Sequence, residues 1–328
     1  MILHGIALFF AIYVAGSMLA VHVLYSAVFF GRTVKPENSL LPRYVNYPGY
    51  SRLPHQFKSG KNTLYAHLYG AENNKALVVI SHGIGDGSEG YIAETIWFVD
   101  HGYRVFSYDC TGSHTSEGKG TTGMAQSALD LHAALSYIKE NDDLSKLPLL
   151  LYGHSWGAYG AAAVLAGPHT ITAAVCISGY NTPNGIVFES ARAKAGPFVC
   201  LEYPFMALEN FFRFGKVSLV SAVKGINAVQ TPVLVIHGAA DKIVLFDGAS
   251  IIAQQKSITN PNVEYCTRSK EGQNGHNNLY LSERAVQYEK EMRDKNYKEI
   301  DPLVKGELDA EFMNRVNQFY EKSLRPAD

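Results

Sequence analysis

The chain has 328 residues, of which 47% are hydrophobic and 18% are charged, so it can form a large core and is not disordered. This length allows one large domain or two small ones. The formal net charge of −1 gives no electrostatic basis for binding nucleic acid, and we expect no such partner. The cysteines are far apart and lack metal-ligand spacing, so we expect buried thiols: Cys110, Cys176, Cys200 and Cys266.

The first segment, residues 2–30, contains no Lys, Arg, Asp or Glu and exceeds the roughly 20 apolar residues that cross a bilayer. We predict a single-pass N-terminal membrane anchor. The alternative, a cleaved signal peptide, fits less well because no basic residue precedes the run, which is also longer than a usual signal-peptide core. Basic residues follow it, which favours a cytoplasmic location for the rest of the chain: Arg32, Lys35, Arg43 and Arg52.

A linker rich in Pro, Tyr, Asn and Ser comes next. Two alternating segments, residues 56–59 and 63–69, are separated by Gly60-Lys-Asn and predict a β-hairpin. The rest of the pattern alternates apolar strand-like runs with segments of helical spacing. We predict strands over 76–81, 103–108, 147–152, 171–178, 232–236 and 263–268, and helices over 91–101, 123–140, 158–166 and from about 248. This alternation predicts a doubly wound parallel sheet. The tail after Leu281 predicts a solvated pair of helices that closes the sheet edge.

The most informative motif is Gly153-His-Ser-Trp-Gly157, which lies between a predicted buried strand and a predicted helix of small residues. A serine at such a turn is held in a strained conformation, and the flanking glycines let the backbones pass. The turn presents the hydroxyl at the positive end of the following helix. Ser155 is therefore a candidate nucleophile. The alternative is a glycine-rich turn with an incidental serine.

A serine nucleophile needs a base, and the base needs a carboxylate to fix its tautomer. Asp241 lies in the loop after the strand that ends in His237-Gly238, although an aspartate there also suits a helix cap. Asp247 is the rival acid. His276 follows Gly275 in the loop after the last strand. We therefore predict Ser155, Asp241 and His276 as nucleophile, acid and base.

The loop His82-Gly-Ile-Gly-Asp-Gly87 follows the strand 76–81 and matches neither a dinucleotide fingerprint nor a P-loop. Acyl transfer needs two backbone N–H donors aimed at the developing oxyanion. We assign these donors to the N–H groups of Ile84 and Trp156. We expect His82 to be structural.

Together, His82-Gly83, Gly153-His-Ser-Trp-Gly157, His237-Gly-Ala-Ala-Asp241 and Gly275-His276 resemble the α/β-hydrolase superfamily over about residues 56–278. The pattern is similar to bacterial lid-bearing serine hydrolases of the monoacylglycerol-lipase and esterase type. This resemblance implies an α/β-hydrolase fold, with helices on both faces of a mostly parallel sheet and a helical lid. It implies neither a metal nor an organic cofactor.

Residues 181–229 lie between two predicted core strands, where such a lid is inserted. They contain many large apolar residues, most of which we expect to form the lid's own core, with some lining an apolar pocket: Phe188, Phe198, Tyr203, Phe205, Met206, Leu208, Phe211, Phe212 and Phe214. The predicted organisation is an anchor (1–31), a linker (32–54), the first part of the core (55–180), the lid (181–229) and the second part of the core with C-terminal helices (230–328).

The sequence thus predicts a serine esterase or lipase that acts on a hydrophobic carboxylic ester or lipid. Two alternatives stay open. One is a serine peptidase of the iminopeptidase kind, which would need acidic residues to hold a substrate amine, with Glu189, Glu202 and Glu209 available. The other is a non-catalytic, membrane-tethered binding module on the same scaffold.

Overall fold

A central sheet of eight strands organises the fold in a computed structural model that describes residues 2–34, 40–294 and 300–325. The strands are β1 (Arg52–Ser59), β2 (Asn62–Tyr69), β3 (Leu77–Ser81), β4 (Arg104–Tyr108), β5 (Leu149–His154), β6 (Ala173–Ile177), β7 (Val233–Gly238) and β8 (Val263–Arg268). Their order is β1-β2-β4-β3-β5-β6-β7-β8, in which β2 pairs antiparallel with both neighbours and every other pair is parallel. Lys35 lies outside the described residues.

Ten α-helices occur in the described ranges. They are α1 (Ile2–Phe29), α2 (Ile92–Asp100), α3 (Gln126–Glu140), α4 (Trp156–Ala163), α5 (Pro183–Ala195), α6 (Tyr203–Phe214), α7 (Ala222–Asn227), α8 (Glu283–Asp294), α9 (Pro302–Lys305) and α10 (Ala310–Leu324).

Helices cover both faces of the sheet because its central strands are apolar on both sides. In β3, Leu77 and Val79 contribute to a core shared with α3, α4 and α7, whereas Val78 and Ile80 contribute to a second core shared with α2 and α10. This alternation is the two-residue period of a strand buried on both faces. The predicted α/β-hydrolase architecture, with a mostly parallel sheet, is confirmed.

The C-terminal helix α10 covers a face of the sheet, so the prediction that the tail closes a sheet edge was wrong for this helix. Phe312, Val316, Phe319 and Tyr320 are buried in the second core. The Tyr320 hydroxyl donates to the carbonyl of Leu151 on a central strand at 2.7 Å. An apolar stripe this wide is more stable against the central strands than at an edge.

The connection between β7 and β8 contains no α-helix near Gly248, contrary to expectation, but a 3₁₀ helix at Ile252–Ser257. The residues just before this 3₁₀ helix form hydrogen bonds with other parts of the chain: the Ala249 N–H donates to the Glu189 carboxylate, and the Ile251 N–H donates to the Gly179 carbonyl. These N–H groups are therefore unavailable for helical bonds to residues four positions earlier.

Helix α1 is the one described helix that is long and apolar enough to cross a membrane, and 11% of its most apolar window is buried. Its buried residues, Ser17, Val21, Tyr25 and Phe29, recur every four residues and form one stripe. Two members of this stripe, Ser17 and Tyr25, donate hydrogen bonds to residues 202 and 210 in the segment between β6 and β7. We call this segment, residues 181–229, the β6–β7 insertion. Just beyond α1, the Arg32 side chain donates to the carbonyls of His114, Ser116 and Gly118 in the loop after β4.

The large apolar residues of the β6–β7 insertion do not form a core of their own, which corrects the expectation for most of them. Met206 and Phe214 are buried. The exposed members are Phe198, Tyr203, Leu208, Phe211 and Phe212. Periodicity alone did not reveal which face of α6 turns outward.

Helix α4 follows β5 through a turn at which two backbones cross. A Cβ atom at Gly157 would overlap the carbonyl of Ser81 at the end of β3, and one at Gly153 would lie 2.5 Å from the carbonyl oxygen of Gly157. Glycine is therefore required at both positions because neighbouring backbone lies too close for a Cβ atom, and not because the φ angle is positive.

We predict that Gly157→Ala lowers the free energy of unfolding by about 1–3 kcal/mol or prevents folding, because the added methyl group overlaps backbone that cannot move freely. Thermal unfolding in detergent would measure this. Gly49→Ala is the matched control, since a Cβ there meets no atom within 4 Å. Equal loss of stability in both variants would contradict the close-approach argument.

Candidate active site

Ser155 lies in the turn between β5 and α4 with φ 54° and ψ −113°, a region that residues other than glycine rarely adopt. Its N–H donates to the carbonyl of Ile177 on the neighbouring strand β6 at 2.7 Å, which fixes the strained backbone. The predicted strand–turn–helix geometry around Ser155 is present. The turn directs the hydroxyl away from the sheet toward the loops at the carboxyl ends of the strands.

The structure brings Ser155, His276 and Asp241 together, although they follow three different strands. His276 Nε2 is 2.8 Å from Ser155 Oγ, and His276 Nδ1 is 2.7 Å from Asp241 Oδ2. A carboxylate can only accept, so Nδ1 carries the proton in the neutral ring and Nε2 accepts from the serine hydroxyl. The geometry is that of a hydroxyl, a base and an orienting acid.

Asp241 accepts hydrogen bonds on both carboxylate oxygens. Oδ1 accepts the N–H groups of Ile243 and Val244 at 2.8 and 3.0 Å, and Oδ2 accepts from His276. His237 Nε2, which donates to the Val244 carbonyl, lies 3.2 Å from Oδ2. Burial alone would raise the pKa of Asp241, but the contacts with the two histidines hold it well below its usual value. Asp241 is therefore ionised at neutral pH.

The glycine loop after β3 lies against the serine. A Cβ atom built on Gly83 would be 3.6 Å from the Cβ of Ser155. The N–H groups of Ile84 and Trp156, the two predicted oxyanion donors, have no acceptor within the described ranges. Neither N–H is therefore engaged within the described part of the protein, and the second is the first N–H of helix α4.

A chain of hydrogen bonds joins the glycine loop to the loop that carries His276. The Gly83 N–H donates to the Tyr91 hydroxyl at 2.9 Å, and this hydroxyl is 2.7 Å from His154 Nδ1. His154 Nε2 is 2.9 Å from the carbonyl of His276. A carbonyl only accepts, so Nε2 is the donor and Nδ1 accepts the tyrosine proton.

This arrangement requires His154 to be neutral, and its environment keeps it so. Burial, together with the nearby His276, lowers the pKa of His154 to about 3. His154 therefore retains one donor and one acceptor nitrogen throughout the neutral range. The chain through Tyr91 and His154 fixes two loops on opposite sides of Ser155.

Two residues considered from the sequence, His82 and Asp247, are not part of the group formed by Ser155, His276 and Asp241. His82 is structural as expected, since its Nε2 accepts the Cys110 N–H at 2.9 Å and its Nδ1 donates to the Gly83 carbonyl. Asp247 is exposed, and the carboxylate that contacts His276 is that of Asp241.

Sequence reasoning missed Tyr91, His154 and His237 as partners of the site. His154 lies inside the elbow motif, and His237 precedes Asp241 by four residues, so position offered a signal for both. Nothing in the sequence distinguished Tyr91 from the other tyrosines. Among the residues that the structure describes, no group of three or more His, Cys, Asp and Glu side chains could hold a metal ion.

Comparisons with known proteins agree with this fold. Residues 72–200, less than half of the chain, match the family model for serine aminopeptidase, S33. A polyketide transferase from Aspergillus fumigatus is 25% identical over 114 residues, which cover 34% of this chain and 39% of that protein. The chain thus matches well under two thirds of the length of this curated relative.

Solved structures match over more of the chain. The esterase Pf2001 of Pyrococcus furiosus superimposes with a TM-score of 0.59 and 20% identity, covering 89% of this chain and 100% of the esterase. An acylaminoacyl peptidase of Pyrococcus horikoshii gives a TM-score of 0.58 and 14% identity, covering 87% of this chain and 44% of the peptidase. These similarities show that the chain has the α/β-hydrolase fold.

We predict that Tyr91→Phe lowers the free energy of unfolding by about 1–3 kcal/mol, because it leaves the buried Gly83 N–H and His154 Nδ1 without their partner. Tyr152→Phe is the matched control: this hydroxyl is also buried but makes no hydrogen bond within the described ranges. Its loss should change stability by less than about 0.5 kcal/mol. Chemical unfolding of the two variants would give the difference, and equal effects would argue against the linking role of Tyr91.

Proposed function

We propose that this protein is a serine hydrolase that cleaves a hydrophobic carboxylic ester through an acyl-enzyme on Ser155. The observation that carries the proposal is the continuous hydrogen-bonded series from Ser155 Oγ through the His276 ring to the ionised Asp241. A buried serine hydroxyl in a strained turn, with an imidazole nitrogen in position to take its proton, is the arrangement that nucleophilic catalysis needs.

In the proposed first step, Ser155 Oγ attacks the acyl carbon while its proton moves to His276 Nε2. The carbonyl oxygen becomes an oxyanion, which the N–H groups of Ile84 and Trp156 stabilise. Asp241 holds His276 in the correct tautomer and stabilises the imidazolium that forms. When the tetrahedral intermediate collapses, the bond to the alcohol oxygen breaks and His276 returns the proton to the departing alcohol.

The second step releases the acid. A water molecule gives a proton to His276 Nε2 and attacks the acyl carbon, and the same two N–H groups stabilise the new oxyanion. Collapse then breaks the bond to Ser155 Oγ, which regains the proton from His276. Free enzyme is restored without any metal or organic cofactor.

We also propose that the β6–β7 insertion is the lid of this site and that α1 anchors the protein in a membrane. The insertion is helical and connects the strand beside the elbow to the strand that leads to Asp241. Its apolar composition supports a hydrophobic ester or lipid as substrate. The cytoplasmic orientation predicted from the basic residues after α1 belongs to this proposal as well.

A peptidase is the second candidate, because the matching family model and one of the similar structures are described as peptidases. A free substrate amine would need an unpaired acidic residue near the serine. Glu189 instead accepts the N–H groups of Leu245 and Ala249. Glu202 and Glu209 bind side chains of α1. These contacts favour an ester substrate, whose recognition needs no anionic group.

A fluorophosphonate probe tests whether the chain is an enzyme. We expect the folded wild type to be labelled and Ser155→Ala to lose labelling by about a thousandfold or more, since the nucleophile is gone. Ser178→Ala is the control, because Ser178 is also buried with positive φ but its hydroxyl makes no hydrogen bond in the described structure. A folded wild type that resists the probe would support the binding-module alternative.

Hydrolysis rates for p-nitrophenyl esters of increasing chain length, beside aminoacyl p-nitroanilides, test the substrate class. We expect kcat/KM to rise about fourfold for each added methylene until the pocket is full, because each group leaves water for an apolar site. Amides with a free amine should react far more slowly. Faster cleavage of the aminoacyl amides than of any ester would replace the esterase proposal with the peptidase.

A further inference from the structure

Helix α6 of the β6–β7 insertion has the reverse of the polarity usual in water-soluble proteins. Its outward face is apolar, with Leu208 37%, Phe211 43% and Phe212 68% exposed. Its polar residues turn inward: Asn210 is fully buried, and the side chain of Arg213 is 12% exposed. A helix in water places its charges outside, whereas a helix in lipid turns them toward protein.

Helix α1 receives these inward polar groups. His22 Nδ1 is 3.0 Å from Glu209, and the Tyr25 hydroxyl donates to Asn210 at 3.3 Å. Arg213 donates to Ser26 Oγ at 3.1 Å. The charges of α6 are thus paired at its contact with α1.

The same pattern continues toward the N-terminus of α1. The hydroxyls of Tyr13 and Ser17 donate to the Glu202 carboxylate, at 3.4 and 3.2 Å. The 3₁₀ helix Pro197–Leu201 just before Glu202 exposes Phe198 by 80% and Leu201 by 62%. Leu201 lies beside α1, because the Tyr13 hydroxyl donates to its carbonyl, and α1 itself exposes Phe9, Ile12 and Leu19. Both segments thus present exposed apolar side chains where they adjoin.

The length of α1 determines how deep this face lies if the helix crosses a bilayer. Hydrogen bonds with the insertion begin at Tyr13. The hydrocarbon core is about 30 Å thick and takes about 20 helical residues. Any stretch of that length within α1, Ile2–Phe29, includes residues 13–21. The part of the insertion beside residues 13–21 therefore lies within the hydrocarbon.

We propose that the β6–β7 insertion itself enters the lipid bilayer beside α1, with Phe198, Leu201 and the outer face of α6 in contact with lipid. This inference rests on the proposed membrane anchoring by α1 and is independent of the hydrolase chemistry. The occupant of the apolar face is lipid because the face adjoins a helix that has no charged residue and because the charged side chains of α6, Glu209 and Arg213, pair with each other on the inner side.

Cys200 provides a natural reporter on this face, because it is exposed whereas Cys110 and Cys176 are buried. The full chain with Cys266→Ser is labelled at Cys200 with a nitrobenzoxadiazole fluorophore and reconstituted in phosphatidylcholine liposomes. A fraction of the lipids carries a nitroxide near the glycerol end of the acyl chain. We expect quenching of at least about twofold, since the label lies in the hydrocarbon layer.

The control label is placed by Ser145→Cys in a Cys200→Ser, Cys266→Ser background. Ser145 is exposed in the loop before β5, at the opposite end of that strand from Ser155, and a label at this position should not be quenched.

Alkaline carbonate extraction of the same liposomes separates the two proposals. Release of intact chain would disprove anchoring by α1.

Retention of the chain after carbonate treatment, with the label at Cys200 no more quenched than the label of the Ser145→Cys control, would leave anchoring intact and overturn the entry of the insertion into lipid. Disulfide cross-linking between Cys200 residues of two chains, undiminished when protein is diluted with lipid, would also overturn it. In that case a second copy, and not lipid, would cover the apolar face.

Discussion

The backbone strain at Ser155 depends on two close approaches that only glycine permits. Ser155 is held at φ 54° and ψ −113° because β5 turns directly into α4. That turn exists because Gly157 can lie against the Ser81 carbonyl and Gly153 against Gly157. Since Ser81 ends β3 and the glycine loop follows it, the same contact that strains the serine also sets the distance to the loop carrying Ile84. Ser155 and the proposed oxyanion donors are thus positioned by one packing constraint.

Hydrogen bonds extend this constraint to His276, the proposed base. The glycine loop contacts Tyr91, Tyr91 contacts His154, and His154 contacts the backbone of His276. The residue next to Ser155 thus links the glycine loop to the loop that carries His276. A histidine suits this position because its two ring nitrogens serve one donor and one acceptor role, and burial keeps the ring neutral. The imidazole of His276 is held from its other side by Asp241.

The N-terminal helix and the β6–β7 insertion form one unit with polar groups inside and apolar groups outside. Glu202 and Glu209 bond to side chains of α1, and the large side chains around them face outward. An arrangement with apolar side chains outside and charged side chains inside is unfavourable in water. It is favourable in lipid, because the charged groups then avoid contact with hydrocarbon. Helix α1 and the insertion are therefore coupled through these contacts, so the proposed anchor would also hold the insertion in place.

The sequence by itself determined the sheet, the elbow and the order of Ser155, Asp241 and His276. Each motif follows an apolar run, and parallel strands bring their carboxyl ends to one edge, so local pattern was sufficient. Tertiary structure alone decided that α10 covers a sheet face, that Tyr91 joins the site, and that the aromatic residues of α6 turn outward. These outcomes depend on which surface each side chain meets. Hydrophobic periodicity shows that a helix has an apolar face, but only packing decides whether that face meets the core, the site or the surroundings.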